Sequence, residues 1–378
     1  MTDKEYLKTS EYIIGALRTM IDGAPLPEKP SDTSFEMIYR LSKHHSLAST
    51  VYYYIENEVK KEASPALVAA WQKERDIDFV KNLKQTDEFR RVTELFTKEK
   101  VSFLPLKGFM MKALYPRPEL RTMADMDIYV SEEQSARARE LLEGIGYICE
   151  HDPDVQEVHD SMAKPPFINI ELHKLLYQGS DFTFSDCRPK EDNPYWYVME
   201  DDDFFAFMLR HAKKHYTHGG CGIRAVLDIF LYKRRYQNLA ASESFINILK
   251  ENELYDFYVT VSALADKWFS GKEPEIDISE FEIYTLTGGT YGTLTNSMGF
   301  GMEHQGRFKY IFSRIFPAPK IIKKRYRWVR RCVILLPVGY IARIVESVFN
   351  GRAKIHVNAI SESNKREKAK KEKMGHSK

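Results

Sequence analysis

Cysteine is scarce and dispersed in this chain, which argues against two classes of site. The sequence has no Cys-x-x-Cys pair, so neither a zinc ribbon nor a dithiol redox motif is indicated. The first ten residues, MTDKEYLKTS, are polar and lack the apolar core of a secretion signal. We therefore expect a reducing, cytoplasmic location. The four cysteines are Cys149, Cys187, Cys221 and Cys332.

Long apolar runs are missing as well. The apolar run from Cys332 to Ala342 is too short to span a bilayer and contains Pro337 and Gly339. No transmembrane segment is therefore predicted, and a core helix is the favoured interpretation of this run. Aromatic residues make up 13% of the chain, which favours packed globular structure over disorder.

Acidic residues are absent from residues 304–345, although this stretch contains eleven Lys or Arg. Most of these cluster between Lys320 and Arg331, interleaved with Tyr326 and Trp328. A solvated helix face beside an acidic patch is the favoured interpretation. A face for RNA or another phosphate-rich partner, and peripheral contact with a membrane surface, stay open as alternatives. The polar, Lys-rich tail at residues 361–378 is predicted to be disordered.

The segment that carries most chemistry runs from Leu104 to Val130, LPLKGFMMKALYPRPELRTMADMDIYV. It predicts a strand, a glycine turn, a helix, and a second strand that opens with Asp125 and Asp127. Side chains two residues apart on a strand share a face, so the two carboxylates lie together. Paired carboxylates repel each other unless a cation lies between them, and Mg²⁺ favours carboxylate and phosphate oxygens. The segment therefore indicates metal-dependent phosphoryl or nucleotidyl transfer.

A third carboxylate belongs to a short apolar strand, FINIEL, at residues 167–172. Glu171 shares a strand face with Asn169 and His173, while the alternating isoleucine and leucine side chains face the core. If this strand lies beside that of Asp125 and Asp127, three carboxylates converge at one sheet edge. Such a set suits a two-metal site, in which one ion activates a hydroxyl and the other steadies pyrophosphate.

These motifs together resemble the uncharacterised nucleotidyltransferase family of the DNA polymerase β-like superfamily. Weaker similarities flank the core, so that the resemblance extends from about residue 35 to 345. It implies Mg²⁺ or Mn²⁺ at Asp125, Asp127 and Glu171, with an NTP as substrate. It also implies triphosphate contacts from Lys107, Gly108 and Arg121. The residues that carry the resemblance are Lys107, Gly108, Tyr115, Pro116, Arg121, Asp125, Asp127, Glu171 and His173.

The sequence departs from the superfamily pattern at Phe109, because members usually have a second small residue after the first glycine. Gly108 alone still permits a tight turn, but it leaves a non-catalytic nucleotide-binding module open as an alternative. A structural ion pair with Glu119 or Asp125 is an alternative role for Arg121. His173 is expected to hydrogen-bond a carboxylate rather than bind metal directly.

Two pairs of residues four apart on predicted helices have simpler interpretations. His211 and His215 lack the further ligands that a zinc site needs, so packing or a substrate contact is favoured. Arg224 and Asp228 are expected to form a structural ion pair.

The predicted fold class is α+β and α-rich: a small mixed sheet flanked by N- and C-terminal helical regions. The predicted division is a helical region at 1–99, a nucleotidyltransferase core at 100–180, a helical region at 181–360, and the tail. A capping box at Thr33 and Glu36 is expected to start one helix. Residues 151–166 are predicted to be a loop or mobile segment.

The predicted function is transfer of a nucleoside monophosphate from an NTP to a hydroxyl or other nucleophile, with release of pyrophosphate. The acceptor is expected to be a small molecule or a protein, and its identity stays open. A tRNA-modifying nucleotidyltransferase, supported only by residues 304–345, is an alternative, with nucleic acid as a less favoured partner.

Overall fold

The computed structural model describes residues 1–150, 158–350, 354–355 and 358–361. The chain forms two compact units: residues 1–212 with 223–282, and residues 213–222 with the described part of 283–378. The four-part division made from the sequence stays a prediction, and residues 362–378 of its basic tail lie outside the described residues. The helices are α1 (Asp3–Asp22), α2 (Phe35–His44), α3 (Ala48–Glu62), α4 (Pro65–Lys98), α5 (Lys107–Met111), α6 (Glu132–Gly144), α7 (Asp201–Thr217), α8 (Gly222–Arg235), α9 (Glu243–Glu251), α10 (Tyr255–Ser270), α11 (Ser279–Gly288), α12 (Leu294–Gln305), α13 (Arg307–Ile315), α14 (Pro319–Arg325), α15 (Arg327–Arg331) and α16 (Leu336–Phe349). The strands are β1 (Leu104–Pro105), β2 (Met126–Tyr129), β3 (Ile148–Cys149), β4 (His159–Lys164), β5 (Ile168–His173), β6 (Arg188–Lys190) and β7 (Asn193–Val198).

The predicted fold class is confirmed: a small mixed sheet lies among helices. Helices α1 to α4 form the expected N-terminal helical region, and α4 starts with Ser64 as its cap and Pro65 in its first turn. The predicted cap of α2 is wrong by one residue. The Ser34 side chain, rather than that of Thr33, accepts the hydrogen bond from the Met37 amide.

The sheet of the first unit has the strand order β1-β2-β5-β4-β3. Strands β2 and β5 are parallel, while β1 pairs with β2, and β4 with β5, in antiparallel fashion. One face of the sheet supplies a core that includes Met126, Ile128, Ile170 and Leu172. The alternation of these buried residues directs Asp127, Glu171 and His173 to the other face.

The expected loop at residues 151–166 is partly wrong. Residues 151–157 lie outside the described residues, but His159–Lys164 form β4, which pairs with β5 along its whole length. Its sequence, HDSMAK, is mostly polar. Its buried acid is compensated by ion pairs, since Asp160 is fully buried and lies 3.4 Å from Arg139 and 3.2 Å from Lys174. Tertiary pairing therefore overrides weak strand propensity here.

Glycines allow close backbone contact within the second unit. Gly220 has φ near +140°, and a Cβ there would lie 2.5 Å from the Gly288 Cα. The Gly-Gly-Cys-Gly segment at 219–222 therefore admits the backbone of residues 288–290.

Helices α13 to α16 complete the second unit, and the expected core helix in residues 332–342 is wrong. α16 buries Gly339, where an added Cβ would lie 2.7 Å from Ile322 Cγ2. Its side chains of Val338, Ile341 and Val345 are exposed. Within the described part of the chain, the helix packs one side against a small cluster of Ile322, Tyr326 and Val329. Within the described residues, no helix combines the length and apolar character needed to cross a bilayer.

Candidate active site

Two of the three predicted carboxylates are direct neighbours across the central strands. Asp127 of β2 is in register with Glu171 of β5 in the parallel pair. Both approach the imidazole of His173, whose Nε2 lies 3.4 Å from Asp127 Oδ1 and 3.4 Å from Glu171 Oε2. Contacts with two carboxylates outweigh burial and raise the pKa of His173 to about 9. The two neighbouring carboxylates therefore favour the protonated form of this imidazole.

Asp125 precedes β2 and is half-buried. Burial, followed by the nearby charges of Asp127 and Glu171, raises the pKa of its carboxyl group to about 6. The structure thus brings all three acids into one electrostatic environment, where ionised Asp125 has no favourable partner as strong as His173. The oxygen donors of the three carboxylates suit a hard divalent ion.

The environment of Asp127 differs from that of Asp125. Burial alone would raise the pKa of Asp127, but the contact with His173 and the positive charge of Lys107 outweigh it and lower the pKa. The pKa values of two carboxylates two residues apart are therefore shifted in opposite directions. Sequence spacing predicted their common face but could not predict this difference, which comes from neighbours on other elements.

Lys107 and Gly108 lie where β1 leads into α5, beside the acids. The Leu106 amide donates to Asp127 O at 2.9 Å, which fixes the start of the turn against β2. A Cβ at Gly108 would lie 3.7 Å from Asp127 Oδ2, so the turn runs close to that carboxylate. Burial lowers the pKa of Lys107 to about 8, opposed mainly by Asp127. A largely cationic amine therefore lies next to the acids.

Phe109 occupies the place of the second small residue without pointing into the site. Its ring stacks on that of Phe89 from α4, with centroids 3.6 Å apart and planes 16° apart. The departure from the superfamily pattern thus fixes the turn to the core through an aromatic contact.

The guanidinium of Arg121 hydrogen-bonds to other groups of the protein. It donates to both oxygens of Asp228, at 3.0 and 2.8 Å, and to the carbonyl oxygen of Gly108 at 2.9 Å. Tyr115 also donates to Asp228, at 2.8 Å. Both Arg121 and Asp228 are buried. Arg121 therefore links the Gly108 turn to Asp228 of α8.

This network corrects the expected partners of Arg121 and Asp228. Arg121 pairs with neither Glu119 nor Asp125, and Arg224 instead donates to the Thr122 carbonyl oxygen at 3.1 Å. The pairing could not be found from helical spacing, because Asp228 meets a residue 107 positions away.

Two histidines that the sequence did not assign to the site also lie there. His159 of β4 is opposite His173 in the strand register, and its Nε2 lies 3.6 Å from Glu171 Oε1. His211 of α7 contacts the amine of Lys107 through its Nε2. The mostly polar sequence of β4, HDSMAK, carries no clear signal for His159. Helical spacing had paired His211 with His215, with packing or a substrate contact as the favoured role, but it did not predict the contact with Lys107.

Comparison with known proteins identifies the family of this chain. The family described as uncharacterised nucleotidyltransferase matches residues 31–270. None of the curated proteins matches the chain. A solution structure of the antibiotic-resistance factor ANT(2'')-Ia matches with 8% sequence identity and a TM-score of 0.35, covering 47% of this chain and 94% of that one. Because the family match covers most of the chain and includes the three carboxylates, the chain belongs to the uncharacterised nucleotidyltransferase family.

Proposed function

We propose that this protein transfers a nucleoside monophosphate from an NTP to a nucleophile, with a divalent ion held by Asp125, Asp127 and Glu171. The observation that carries the proposal is the placement of Asp127 beside Glu171 on parallel strands, with Asp125 in the same electrostatic environment. The bound ion, Mg²⁺ or Mn²⁺, supplies charge neutralisation for the triphosphate and acidifies the acceptor hydroxyl.

The remaining chemistry is assigned to this chain's own side chains. The acceptor oxygen forms a bond to the α-phosphorus, the bond from that phosphorus to the bridging oxygen of pyrophosphate breaks, and pyrophosphate leaves with the electron pair. Glu171, which is half-buried, is positioned to take the proton of the acceptor. Lys107 steadies the negative charge of the triphosphate, while Arg121 fixes the Gly108 turn through Asp228. A direct phosphate contact from Arg121 is not part of the proposal, because its guanidinium already has protein partners.

Incubation of the full chain with each α-labelled NTP, Mg²⁺ or Mn²⁺ and a cell extract tests the proposal, with mass spectrometry of whatever gains a nucleotide. We expect metal-dependent labelling that falls at least about a hundredfold in Asp127→Asn. Asp192→Asn, which changes an exposed acid in the β6–β7 turn, should label like the unmodified protein. Nucleotide binding without labelling of any acceptor would favour the non-catalytic binding module.

A further inference from the structure

Four potential metal donors meet on the face of the sheet opposite the core, and two of them are nitrogens. They come from three adjacent strands: Asp127 from β2, Glu171 and His173 from β5, and His159 from β4. The donor atoms of His159, Glu171 and His173 all lie within 4.8 Å of one another. Glu171 is the centre of the set, since one carboxylate oxygen faces each histidine.

The spacings match those of donors around a bound transition-metal ion. Bonds of about 2.0–2.2 Å in tetrahedral geometry place neighbouring donors roughly 3.3–3.6 Å apart. The contacts in the structure are 3.6 Å for His159 with Glu171, and 3.4 Å for His173 with each carboxylate. Three donor contacts therefore already lie near the spacing that a bound ion requires. The competing interpretation is a set of imidazolium–carboxylate ion pairs, which the same distances also fit.

We infer that Asp127, His159, Glu171 and His173 form a mixed nitrogen and oxygen site that selects a transition-metal ion, such as Zn²⁺ or Mn²⁺, over Mg²⁺. Imidazole nitrogen is a good ligand for transition metals, whereas Mg²⁺ prefers oxygen donors and retains several waters. The inference rests on the proposed function, because it specifies which class of ion the carboxylates of Asp127 and Glu171 bind. It adds His159 and His173 as ligands.

Metal binding without nucleotide tests this inference separately from catalysis. Calorimetric titration of the metal-stripped full chain with ZnCl₂ should show one site that excess Mg²⁺ does not displace. His159→Ala and the polar His159→Gln should each weaken Zn²⁺ affinity about tenfold or more. His304→Ala, which removes an exposed histidine, is the matched control and should bind as the unmodified protein does. Melting curves without metal confirm that the variants are folded.

The outcomes separate the two proposals. Unchanged Zn²⁺ affinity in both folded His159 variants, or displacement of Zn²⁺ by Mg²⁺ at similar concentration, would overturn the inference even if NTP turnover occurs. Tight Zn²⁺ binding that depends on His159, in a protein that turns over no NTP, would support the inference while the proposed function fails.

A second inference comes from an independent feature, the exposed apolar side chains of α13 and α16. Phe308, Phe312 and Phe316 follow helical spacing and are 90%, 64% and 45% exposed. Most monomeric proteins do not expose such a concentration of large apolar groups. Along α16, the exposed residues are Val338, Ile341, Val345, Val348 and Phe349.

Charge indicates what covers these side chains. Residues 304–345 contain eleven Lys or Arg and no acid, and the one acid of α16, Glu346, pairs with Arg325 at 2.7 Å. Apolar groups combined with net positive charge, on helices too short or too polar to cross a bilayer, are typical of interfacial segments. RNA would use the charge but not the exposed phenylalanine and valine side chains.

We propose that α13 to α16 bind the surface of a bilayer that contains anionic phospholipid. Co-sedimentation of the full chain with phosphatidylcholine vesicles, with and without phosphatidylglycerol, tests this. We expect binding only to the anionic vesicles, and at least about a tenfold loss with the pair Phe308→Ser and Phe312→Ser. Tyr291→Ser, at another exposed aromatic residue of this unit, should bind normally. The proposal would be overturned if the Phe308→Ser and Phe312→Ser double variant bound vesicles as tightly as the unmodified protein. It would also be overturned if tRNA still competed in that variant, or if the unmodified protein were a stable dimer that the variant converts to a monomer.

Discussion

At the level of single residues, Asp125 and Asp127 act on stability in opposite directions. Burial and acidic neighbours raise the pKa of Asp125 to about 6. The pKa of Asp127 is lowered despite burial, because His173 and Lys107 favour its ionised form. Ionised Asp125 therefore destabilises the metal-free fold, and ionised Asp127 stabilises it.

We expect Asp125→Asn to raise the free energy of unfolding by about 1–3 kcal/mol near pH 7 without metal, while Asp127→Asn lowers it by a similar amount. Because the folded pKa of Asp125 exceeds its usual value near 4, the folded state binds the extra proton between pH about 4 and 6. The extra stability of Asp125→Asn should therefore increase as the pH rises through this window, and it should vanish below the window. Urea unfolding across pH measures both variants, and shifts of the same sign would contradict the assignment.

The same pKa predicts how metal binding depends on pH. As pH falls through about 6, Asp125 takes up a proton that competes with the ion. Affinity for Mg²⁺ or Mn²⁺ with NTP should therefore decrease about tenfold per pH unit below that point, if one proton is displaced. Titration of the unmodified protein at several pH values measures the slope. Asp125→Asn should bind weakly and lose this acidic dependence, and an unchanged slope in the variant would assign the proton to another group.

At the level of elements, the buried contact of Arg121 with Asp228 joins the segment before β2 to α8. Both side chains are nearly inaccessible, and the pair is bidentate. Removing one partner leaves an unpaired buried charge, so Arg121→Met should lower the free energy of unfolding by about 3–5 kcal/mol. Arg121→Met combined with Asp228→Leu should recover part of that loss. Tyr115→Phe, which removes one hydrogen bond to Asp228, should lower it by about 1 kcal/mol.

Chemical denaturation of the unmodified protein, Arg121→Met, Asp228→Leu and the double variant measures the coupling as a double-mutant cycle, and Tyr115→Phe is measured alongside. Additive effects of Arg121→Met and Asp228→Leu would show that the two side chains are not coupled. Labelling activity gives a second comparison. If Arg121 acts through the Gly108 turn, Arg121→Lys should reduce activity, but the way activity depends on the negative charge of the nucleotide phosphates should not change.

The elements show which parts of the site could be predicted from sequence. Two-residue alternation places Asp127 and Glu171 on one face, and the structure confirms that face through the buried residues between them. Strand β4 was missed because its pattern is polar, and its order depends on pairing with β5. The β6–β7 hairpin was missed as well; its short strands carry no clear alternation. Contacts distant in sequence, such as Arg121 with Asp228 or Lys107 with His211, leave no local signal.

At the level of the whole molecule, positive charge is concentrated in residues 304–345 and in the Lys-rich tail at residues 361–378. The formal net charge is +2, and residues 304–345 alone carry eleven positive charges without an acid, so the remaining chain carries a net charge of −9. A negatively charged body opposes association with nucleic acid, while a basic segment attracts it locally. The exposed apolar side chains of α13 and α16 add affinity for a bilayer but not for a phosphate backbone.

We therefore predict at most weak tRNA binding at physiological salt. Nucleic-acid affinity that depends on several Lys and Arg contacts falls steeply with salt, because each phosphate contact releases counterions. Of the two aromatic residues in the basic cluster, Tyr326 is buried against Ile322 and Val329 and is thus unavailable for stacking on bases. Filter binding of tRNA across a salt series, with the triple charge reversal of Lys323, Lys324 and Arg325, measures this. Sub-micromolar affinity with a steep salt dependence that the reversal abolishes would instead support the tRNA-modifying alternative.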